Sequence, residues 1–482
     1  MLIRAATYRL HVFDWSQKGF GAIKRYNQVY NLLKKPEHPP PLGSMKLALL
    51  SLLVAFVLQC VQARFRPWGW NHHHYRPILI NPSAQPDLPS AQQASNSAAS
   101  AGLNLTNIQG DVLIGMRKIT ETFFFFKITK IRTFKSQLGS TILPMITSTD
   151  DMLSVTTQPT TALNVAFSQR GLTALGVRDN LGDSLFANGQ LSGASDLGDK
   201  TSQWVPQFSA SNIDGVFLLA SDSIENVNIL LFQLQASLQG SISEVYRVQG
   251  QARPGDQQGH EHFGFMDGIS NPAVTGFSTP HPGQTVVPPG IILLGEDGDS
   301  KQRPSWARDG SFLVFRQLQQ RVPEFNSFLL NNAPSQPNMT LQQNADLLGA
   351  RMMGRWKSGA PIDLAPLADD PVLAADPQRN NNFDYTHPNF DINTDQSHCP
   401  FSAHIRKTNP RADQSAISNQ IIRAGIPYGP EVTSDETASG TSSSTPSLER
   451  GLAFVSYQSS ISSGFAFIQQ SWANNPSFHI CE

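Results

Sequence analysis

Three side chains that can do chemistry lie in the second half of this 482-residue chain, each framed by apolar residues. They are the carboxylate of Asp267, the imidazole of His404 and the guanidinium of Arg423. A charged group among apolar side chains costs free energy unless it is paired. Chains keep a carboxylate in such a setting mainly to cap a turn or to move protons. Asp267, which directly precedes Gly268, suits both uses.

Together, an acid, an imidazole and a guanidinium are the groups that a haem peroxidase needs. A neutral histidine binds the iron from one side. On the other side, a base takes a proton from peroxide and returns it as the O–O bond breaks. A fixed cation stabilises the charge that develops there. The residues alone leave alternatives open, because Arg423 can equally serve in a salt bridge, and Arg406 and Arg411 compete with it.

The apolar pattern from about residue 103 onward predicts an α+β fold. Four consecutive phenylalanines at 123–126 predict a strand buried on both faces, and residues 111–115 predict another strand. Residues 224–238 have apolar side chains at helical spacing. Strands and helices alternate in this way in two similar halves, 103–250 and 251–482, which favours packed sheets.

Three polar stretches predict irregular structure. Residues 64–102 contain a run of three histidines and then a Pro, Ser, Ala and Gln-rich segment, which predicts a flexible leader or propeptide. The histidine run is more typical of a solvated tract than of a metal site. Residues 369–396 and 434–447 predict long surface loops, and loops of that length are often functional.

Composition and the N-terminal region predict a secreted, extracellular protein. The formal net charge of −1 gives no sign of a nucleic-acid partner. Residues 45–63 combine Met-Lys, a short apolar core and small residues before Ala63, which is the anatomy of a secretory signal peptide. We therefore expect Met45 to be the true start, residues 1–44 to be a gene-model artefact, and no stable membrane association after signal removal. A type II membrane anchor is the alternative.

Two other features of the sequence can be interpreted if the protein is secreted. The sequons at Asn104 and Asn338 predict a glycoprotein. Of the three cysteines, Cys60 lies in the predicted signal peptide, which leaves Cys399 and Cys481 either bridged or both free.

Six segments, taken in order, form a pattern that is specific as a set. One is Gly264-Phe265-Met266-Asp267-Gly268, which matches the signature Gly-x-x-Asp-Gly. The others are residues 104–116, 354–361, 399–411, 422–428 and 449–458. On these segments the chain resembles the dye-decolorizing peroxidases, in particular their secreted fungal branch. The resemblance runs from about Asn104 to the end of the chain.

This resemblance implies a fold, a cofactor and roles for particular residues. The fold would be two ferredoxin-like halves with antiparallel sheets, resembling a dimeric α/β barrel, with one haem b per chain in the C-terminal half. His404 would be the proximal iron ligand, Asp267 the distal acid–base group and Arg423 the distal cation. The candidate partners for the haem propionates are Arg253 and Arg406, and the candidate acidic partner for the proximal histidine is Glu449.

The chain departs from its relatives at two points. Many relatives have a second arginine after the distal one, whereas this chain has Ala424 there, and Arg423 keeps the correct offset to Gly425-Ile-Pro-Tyr. Relatives also continue beyond the helix that contains Trp472. We therefore expect the second half to be truncated at its C-terminus.

The expected reaction is the oxidation of bulky aromatic compounds, such as dyes and phenolics, by hydrogen peroxide. Substrates too large to reach a buried haem would give up electrons through aromatic side chains. The candidates are Trp356, Trp472, Tyr428 and Tyr457. Such residues more commonly serve in core packing. Aspartic acids ordinarily titrate at about 3.9, which predicts strongest activity at acidic pH.

Two other classes of function remain as alternatives. One is a secreted haem-binding or iron-handling protein with little turnover. The other is a glycoside hydrolase that uses Glu261 and Asp267 as paired acids.

Overall fold

The computed structural model describes residues 90–154 and 161–478. The predicted artefact at 1–44, the signal peptide at 45–63, most of the predicted leader and Cys481 lie outside the described residues. Within the described residues, none of the helices is both long and apolar enough to cross a bilayer.

One curled antiparallel sheet organises the described part of the chain. The strands are β1 (Thr120–Ile128), β2 (Ala162–Phe167), β3 (Gly215–Ser221), β4 (Ile242–Gln251), β5 (Ala273–Val274), β6 (Val286–Val287), β7 (Phe312–Gln319), β8 (Ile422–Arg423), β9 (Ile426–Tyr428) and β10 (Gly451–Gln458). Their order in the large sheet is β2-β3-β1-β4-β9-β10-β7, with β8 also paired to β10, while β5 and β6 form a separate parallel pair. The predicted α+β class with antiparallel sheets is confirmed.

The two halves of the chain each contribute four strands to this sheet. Strands β1 to β4 come from the first half and strands β7 to β10 from the second. The halves join where β4 pairs with β9, at the Gly250 and Tyr428 register position. A Cβ at Gly250 would meet Ile426 Cγ2 at 2.3 Å, so only glycine permits this close approach. The sheet is therefore continuous from one half to the other.

The four phenylalanines of β1 explain why this strand lies at the centre of the first half. Successive side chains of a strand point to opposite faces. Phe123 and Phe125 pack into one hydrophobic core, and Phe124 and Phe126 pack into the other. All four are at most 4% exposed, and β1 is paired on both edges, by β3 and β4. The predicted strand, buried on both faces, is confirmed.

Helices cover the sheet and fill the connections between strands. They are α1 (Ala91–Ala101), α2 (Gly110–Ile114), α3 (Ile131–Gln137), α4 (Thr149–Ser154), α5 (Gln169–Ala174), α6 (Ser184–Asn188), α7 (Pro206–Ser209), α8 (Ile224–Ser237), α9 (Val322–Asn332), α10 (Leu341–Met353), α11 (Pro371–Ala375), α12 (His404–Thr408), α13 (Ser434–Ser439) and α14 (Phe465–Phe467). The predicted helix at 224–238 is present as α8.

The prediction of a flexible leader is wrong for residues 90–102, which form the packed helix α1. Ser90 and Gln93 make a capping box, in which each side chain accepts a hydrogen bond from the other residue's backbone N–H. Ala94 and Ala98, four residues apart, lie on one face and are at most 2% exposed. Small side chains at this spacing let a polar-looking helix pack closely against the core.

A second capping box corrects the predicted loop at 434–447. Thr433 accepts a hydrogen bond from the N–H of Glu436, and the Glu436 carboxylate accepts one from the N–H of Thr433, which starts α13. The same carboxylate forms a buried bidentate ion pair with Arg450, which directly precedes β10. The segment is therefore partly helical and attached to the sheet.

Residues 111–115 form helix α2 rather than the predicted strand. Gly115 ends the helix in a left-handed conformation, with φ of 72°. Asp111 lies in the first turn, where a negative charge is favourable, and its backbone N–H donates to the side chain of Asn164. All five residues of the helix are buried, which explains why an apolar run resembled a strand.

Asp111 also belongs to a buried charge cluster under the sheet. Lys118 Nζ lies 3.2 Å from Asp111 Oδ1 and 2.6 Å from Glu121 Oε2, and Tyr457 donates its hydroxyl hydrogen to Asp111 Oδ2 at 2.5 Å. One cation thus faces two carboxylates. Burial raises the pKa of Glu121 to about 8, although Lys118 opposes this shift. With Glu121 protonated, the cluster is electrically balanced.

The raised pKa of Glu121 predicts that the protein loses stability as pH rises. Its folded-state pKa lies above the ordinary 4.5, so this contribution to stability is complete below pH 4.5 and is lost as pH rises to about 8. One such proton changes the free energy of unfolding by at most about 1.4 kcal/mol per pH unit. Glutamine is neutral at every pH. We therefore expect the free energy of unfolding in urea to change less between pH 5 and pH 8 in Glu121→Gln than in wild type. Glu244→Gln, in a half-exposed ion pair, serves as the control. Equal slopes in wild type and Glu121→Gln would contradict the assignment.

Candidate active site

The loop that carries Asp267 is held in place by backbone hydrogen bonds. The N–H of Asp267 donates to the carbonyl of Gly259 at 2.9 Å. Inside the loop, the Glu261 carboxylate accepts hydrogen bonds from the N–H groups of Phe263 and Phe265 at 2.9 and 2.8 Å. Glu261 is thus the residue that caps this turn, which leaves the Asp267 side chain for another role.

The two oxygens of the Asp267 carboxylate have different environments. Oδ1 accepts hydrogen bonds from the N–H of Gly268 at 2.6 Å and from Arg423 Nη1 at 2.8 Å. Oδ2 has no hydrogen-bond partner among the described residues. The side chain is 27% exposed. One oxygen therefore fixes the carboxylate, and the other can exchange a proton with a bound molecule.

Arg423 is fixed at both its backbone and its side chain. Its strand, β8, pairs with β10, and its N–H and carbonyl bond to the side chain of Asn271, both at 3.1 Å. Besides Asp267, the guanidinium donates to the carbonyl of Ile269 through Nη2 at 2.9 Å. An arginine has five N–H donors, so donors remain for a further ligand. The structure brings together Asp267 and Arg423, as the sequence analysis required.

His404 is the first residue of α12, at the end of a long irregular segment. Its neighbour Ile405 packs against Gly354, where an added Cβ would meet Ile405 Cγ1 at 2.3 Å. Gly354 ends α10 in a left-handed conformation, with φ of 89°. This glycine therefore lets α12 approach α10 closely and sets the position of His404.

The His404 imidazole lines a recess rather than the outer surface. It is accessible to water, yet the surrounding protein lowers its pKa by burial, the positive charge of Arg423 lowers it further, and Asp267 raises it. All three residues thus lie within electrostatic reach of one another. The ring nitrogens have no hydrogen-bond partner among the described residues. A neutral imidazole with a free lone pair on one ring nitrogen is the form that binds a metal ion.

Two further arginines adjoin this recess and were not assigned roles from the sequence. The pKa of Arg355 is lowered to about 9 by burial and by the charges of Arg411 and Arg423. Burial also lowers the pKa of Arg411. Among residues 90–154 and 161–478, neither Arg355 nor Arg411 forms an ion pair with a carboxylate. Their N–H groups bond instead to hydroxyl, amide and carbonyl oxygens, including the side chain of Asn381. An anionic ligand would compensate this charge.

The predicted propionate partners, Arg253 and Arg406, each form an ion pair with a carboxylate of the protein. Arg253 forms a bidentate ion pair with Glu431 at 2.8 and 2.6 Å. Arg406 is fully buried, forms a bidentate ion pair with Asp413 and lies over the rings of Tyr385 and Phe401. Both arginines hold parts of the fold together, so the structure does not support their prediction as haem contacts. Arg355 and Arg411, in segments already singled out by their sequence, have no such carboxylate partner among the described residues.

Glu449 does not adjoin His404. Its carboxylate accepts hydrogen bonds from the hydroxyl of Tyr428 at 2.9 Å and from the side chain of Gln317 at 3.3 Å. His404 responds electrostatically to Arg423 and Asp267 instead. These contacts give no support to the role of Glu449 as the acidic partner of the proximal imidazole, which stays a prediction.

The four aromatic candidates for electron transfer are all in the interior. Trp356, Trp472, Tyr428 and Tyr457 are each at most 6% exposed. They pack in the core, so none of them presents a surface on which a bulky substrate can dock.

Comparison with known proteins identifies the family. Residues 107–254 match the DyP dimeric alpha+beta barrel domain, and residues 259–478 match the C-terminal domain of Dyp-type peroxidases. Peroxidase 2 of Mycetinis scorodonius is 64% identical over 443 residues, which cover 90% of this chain and 86% of that protein. The crystal structure of a decolorizing peroxidase from Auricularia auricula-judae superposes with a TM-score of 0.76 at 56% identity. The match covers 78% of this chain and 85% of that one.

A more distant relative has a different name. The deferrochelatase of Yersinia pestis is 27% identical over 208 residues, which cover 43% of this chain and 35% of that protein. The full-length matches, the two family models and the fold agree that this chain belongs to the dye-decolorizing peroxidase family. It is an oxidoreductase that uses peroxide, from a family of haem enzymes that act on dyes.

Proposed function

We propose that the chain binds one haem b through His404 and uses hydrogen peroxide to oxidise bulky aromatic reductants, with Asp267 as the acid–base group and Arg423 as the fixed cation. The observation that carries the proposal is the Asp267–Arg423 pair, joined at 2.8 Å and within electrostatic reach of a neutral, unpartnered imidazole. The signal-peptide pattern at 45–63 supports a further proposal, that the protein acts outside the cell.

The donor set suits haem b. His404 offers a neutral imidazole nitrogen for the iron. Arg355 and Arg411 carry charge that no carboxylate of the described residues compensates, and the haem propionates are carboxylates of the required sign. Together these groups make an iron ligand and an anion site on neighbouring segments.

Asp267 moves the proton of the reaction. Its free oxygen, Oδ2, would take a proton from one oxygen of hydrogen peroxide and return it to the other, which would leave as water. The hydrogen bonds at Oδ1 keep the carboxylate plane fixed while this occurs. No net proton is left on the protein after the step.

Arg423 stabilises the negative charge that develops on peroxide. Its guanidinium stays protonated, and its contacts with Asp267 and Ile269 prevent it from turning away. A donor that is already oriented needs no reorganisation when the charge appears. Haem held by His404 would supply the redox chemistry, giving electrons to peroxide and recovering them from the aromatic substrate.

The alternative function is haem or iron handling with little turnover, for which the distant deferrochelatase relative is the supporting observation. Steady-state oxidation of an anthraquinone dye by the purified, haem-loaded protein separates the two. A peroxidase bleaches many equivalents of dye per haem and needs peroxide. A haem-handling protein bleaches none and releases iron instead.

The pH profile of the same assay is a further test. Aspartic acids as a class titrate near 3.9, and a group that must both take and return a proton works best near its own titration range. We therefore expect dye oxidation to be fastest at acidic pH. A maximum above neutrality would contradict a catalytic carboxylate.

A further inference from the structure

A second cluster of metal-binding side chains lies apart from the Asp267 and Arg423 pair. It consists of Asp363, His387 and His398, whose ligand atoms all lie within 4.8 Å of one another. Asp363 precedes α11, and the two histidines belong to the irregular segment 376–403, which leads directly into α12. The cluster thus joins both ends of the long loop that the sequence predicted.

The hydrogen bond at His398 fixes which of its nitrogens is free. Nδ1 lies 2.7 Å from the backbone carbonyl oxygen of Asp363. A carbonyl oxygen can only accept, so Nδ1 carries the proton and Nε2 carries the lone pair. Metal-binding histidines are commonly fixed in this way, with the second ring nitrogen donating to a carbonyl oxygen. Nε2 of His398 has no hydrogen-bond partner within the described part of the chain.

The Asp363 carboxylate is buried, and only one of its two oxygens has a hydrogen-bond partner among the described residues. Its side chain is 1% exposed, and Oδ1 lies 3.1 Å from Nε2 of His387. Oδ2 is buried without a hydrogen-bond partner among the described residues. A buried carboxylate oxygen without a partner costs free energy. A simple hydrogen bond between His387 and Asp363 would leave both this oxygen and Nε2 of His398 unmatched.

The ligand atoms are close enough together to bind one small cation. Two ligands bonded to tetrahedral zinc at about 2.0–2.1 Å are about 3.3 Å apart, close to the separation of His387 Nε2 and the carboxylate. The two imidazole rings stack with centroids 4.0 Å apart and planes at 23°, so one ring must turn when an ion binds, because nearly parallel rings cannot both point a lone pair at one atom. Phe390 packs edge-on against both rings, at 5.2 and 5.6 Å, and forms an apolar wall beside the cluster.

We propose that Asp363, His387 and His398 bind a divalent transition-metal ion, Zn²⁺ in the first instance, with water in the fourth position. Two imidazoles and a carboxylate are a ligand set that suits zinc. The role is structural, because the ion would tie residue 363 to the segment 376–403. That segment ends at His404, so the ion would hold in place the loop that leads to the imidazole. The site is independent of the proposed function and would exist in a protein without peroxidase activity.

Zn²⁺ titration of the haem-loaded protein, stripped of other metals with EDTA and followed by calorimetry, tests this site. We expect one equivalent to bind to wild type. His387→Ala and His398→Gln should each weaken binding by at least about tenfold, since each removes one of three ligands. The sequence contains a competing run, His72 to His74, so a variant with alanine at all three positions is the matched control and should bind as wild type does.

A stability measurement covers the case in which a variant folds poorly. The thermal midpoint of wild type should rise with Zn²⁺ and fall again with EDTA. His387→Ala, at a side chain that is 19% exposed, should fold but lose this response. X-ray absorption of the zinc-loaded wild type should show two imidazole ligands. Absence of Zn²⁺ binding by wild type, or equal binding by wild type and both ligand variants, would overturn the proposal. So would loss of binding in the His72–His74 variant.

Discussion

Asp267→Asn is expected to lower kcat/KM for peroxide by about 10²–10⁴, the usual contribution of a general acid–base group. Asparagine keeps an oxygen at the Oδ1 position, so the hydrogen bonds from Gly268 and Arg423 survive. The amide nitrogen replaces Oδ2, which has no partner to lose. The substitution therefore removes the proton acceptor and leaves the loop intact. Stopped-flow mixing with peroxide measures the rate, and haem content is read from the same sample.

Asp256→Asn is the matched control for this variant. Asp256 is exposed and lies eleven residues before Asp267, so its substitution should leave the peroxide rate unchanged. A peroxide rate in Asp267→Asn within about threefold of wild type, with full haem content, would show that Asp267 is not the proton-transfer group.

Arg423→Leu is expected to slow the reaction with peroxide by about 10²–10³, the usual cost of removing one oriented donor at a developing negative charge. Arg423→Lys should fall between Leu and wild type. Lysine keeps the charge, but it cannot bond Asp267 and the Ile269 carbonyl with the same fixed fork geometry. Rates that fall in the order wild type, Arg423→Lys, Arg423→Leu would therefore show that both the charge and the orientation of Arg423 matter.

Arg321→Lys controls for the general effect of changing an arginine. Arg321 has a side chain that is 64% exposed and, within the described ranges, pairs only with Glu324, so its substitution should leave the rate unchanged. A rate for Arg423→Lys no higher than that for Arg423→Leu would assign the whole effect to geometry. Wild-type rates in both Arg423 variants would contradict the role of Arg423.

Local signals made some elements of the fold predictable from sequence. The continuous apolar run at 123–126 can only be buried, and it forms the central strand β1. Residues 224–237 have both helical spacing and a Ser223 cap. The wrong prediction at α1 has a local cause. Ser90 and Gln93 are a capping-box pattern that indicates a helix, but they lie in a segment whose overall composition resembles a flexible leader.

The errors at the site have a different cause, which is the pairing of charges over long distances. Sequence identifies an arginine, but it does not show which carboxylate lies beside it. Asp267 and Arg423 form an ion pair although they are 156 residues apart in sequence. Arg253 instead pairs with Glu431, from which it is separated by 178 residues. Arg355 and Arg411 have no carboxylate partner among the described residues, whereas Arg423 is paired with Asp267. Which arginines lack an acidic partner is a property that only the folded chain reveals.

The most direct test of the central claim is the absorbance spectrum of the haem-loaded protein, wild type against His404→Ala. The account predicts a Soret band in wild type, and in His404→Ala either loss of haem or a changed band. Added imidazole should restore the wild-type spectrum, because it fills the space of the missing ring. Full haem occupancy with an unchanged spectrum in His404→Ala would contradict the assignment of His404 as the iron ligand.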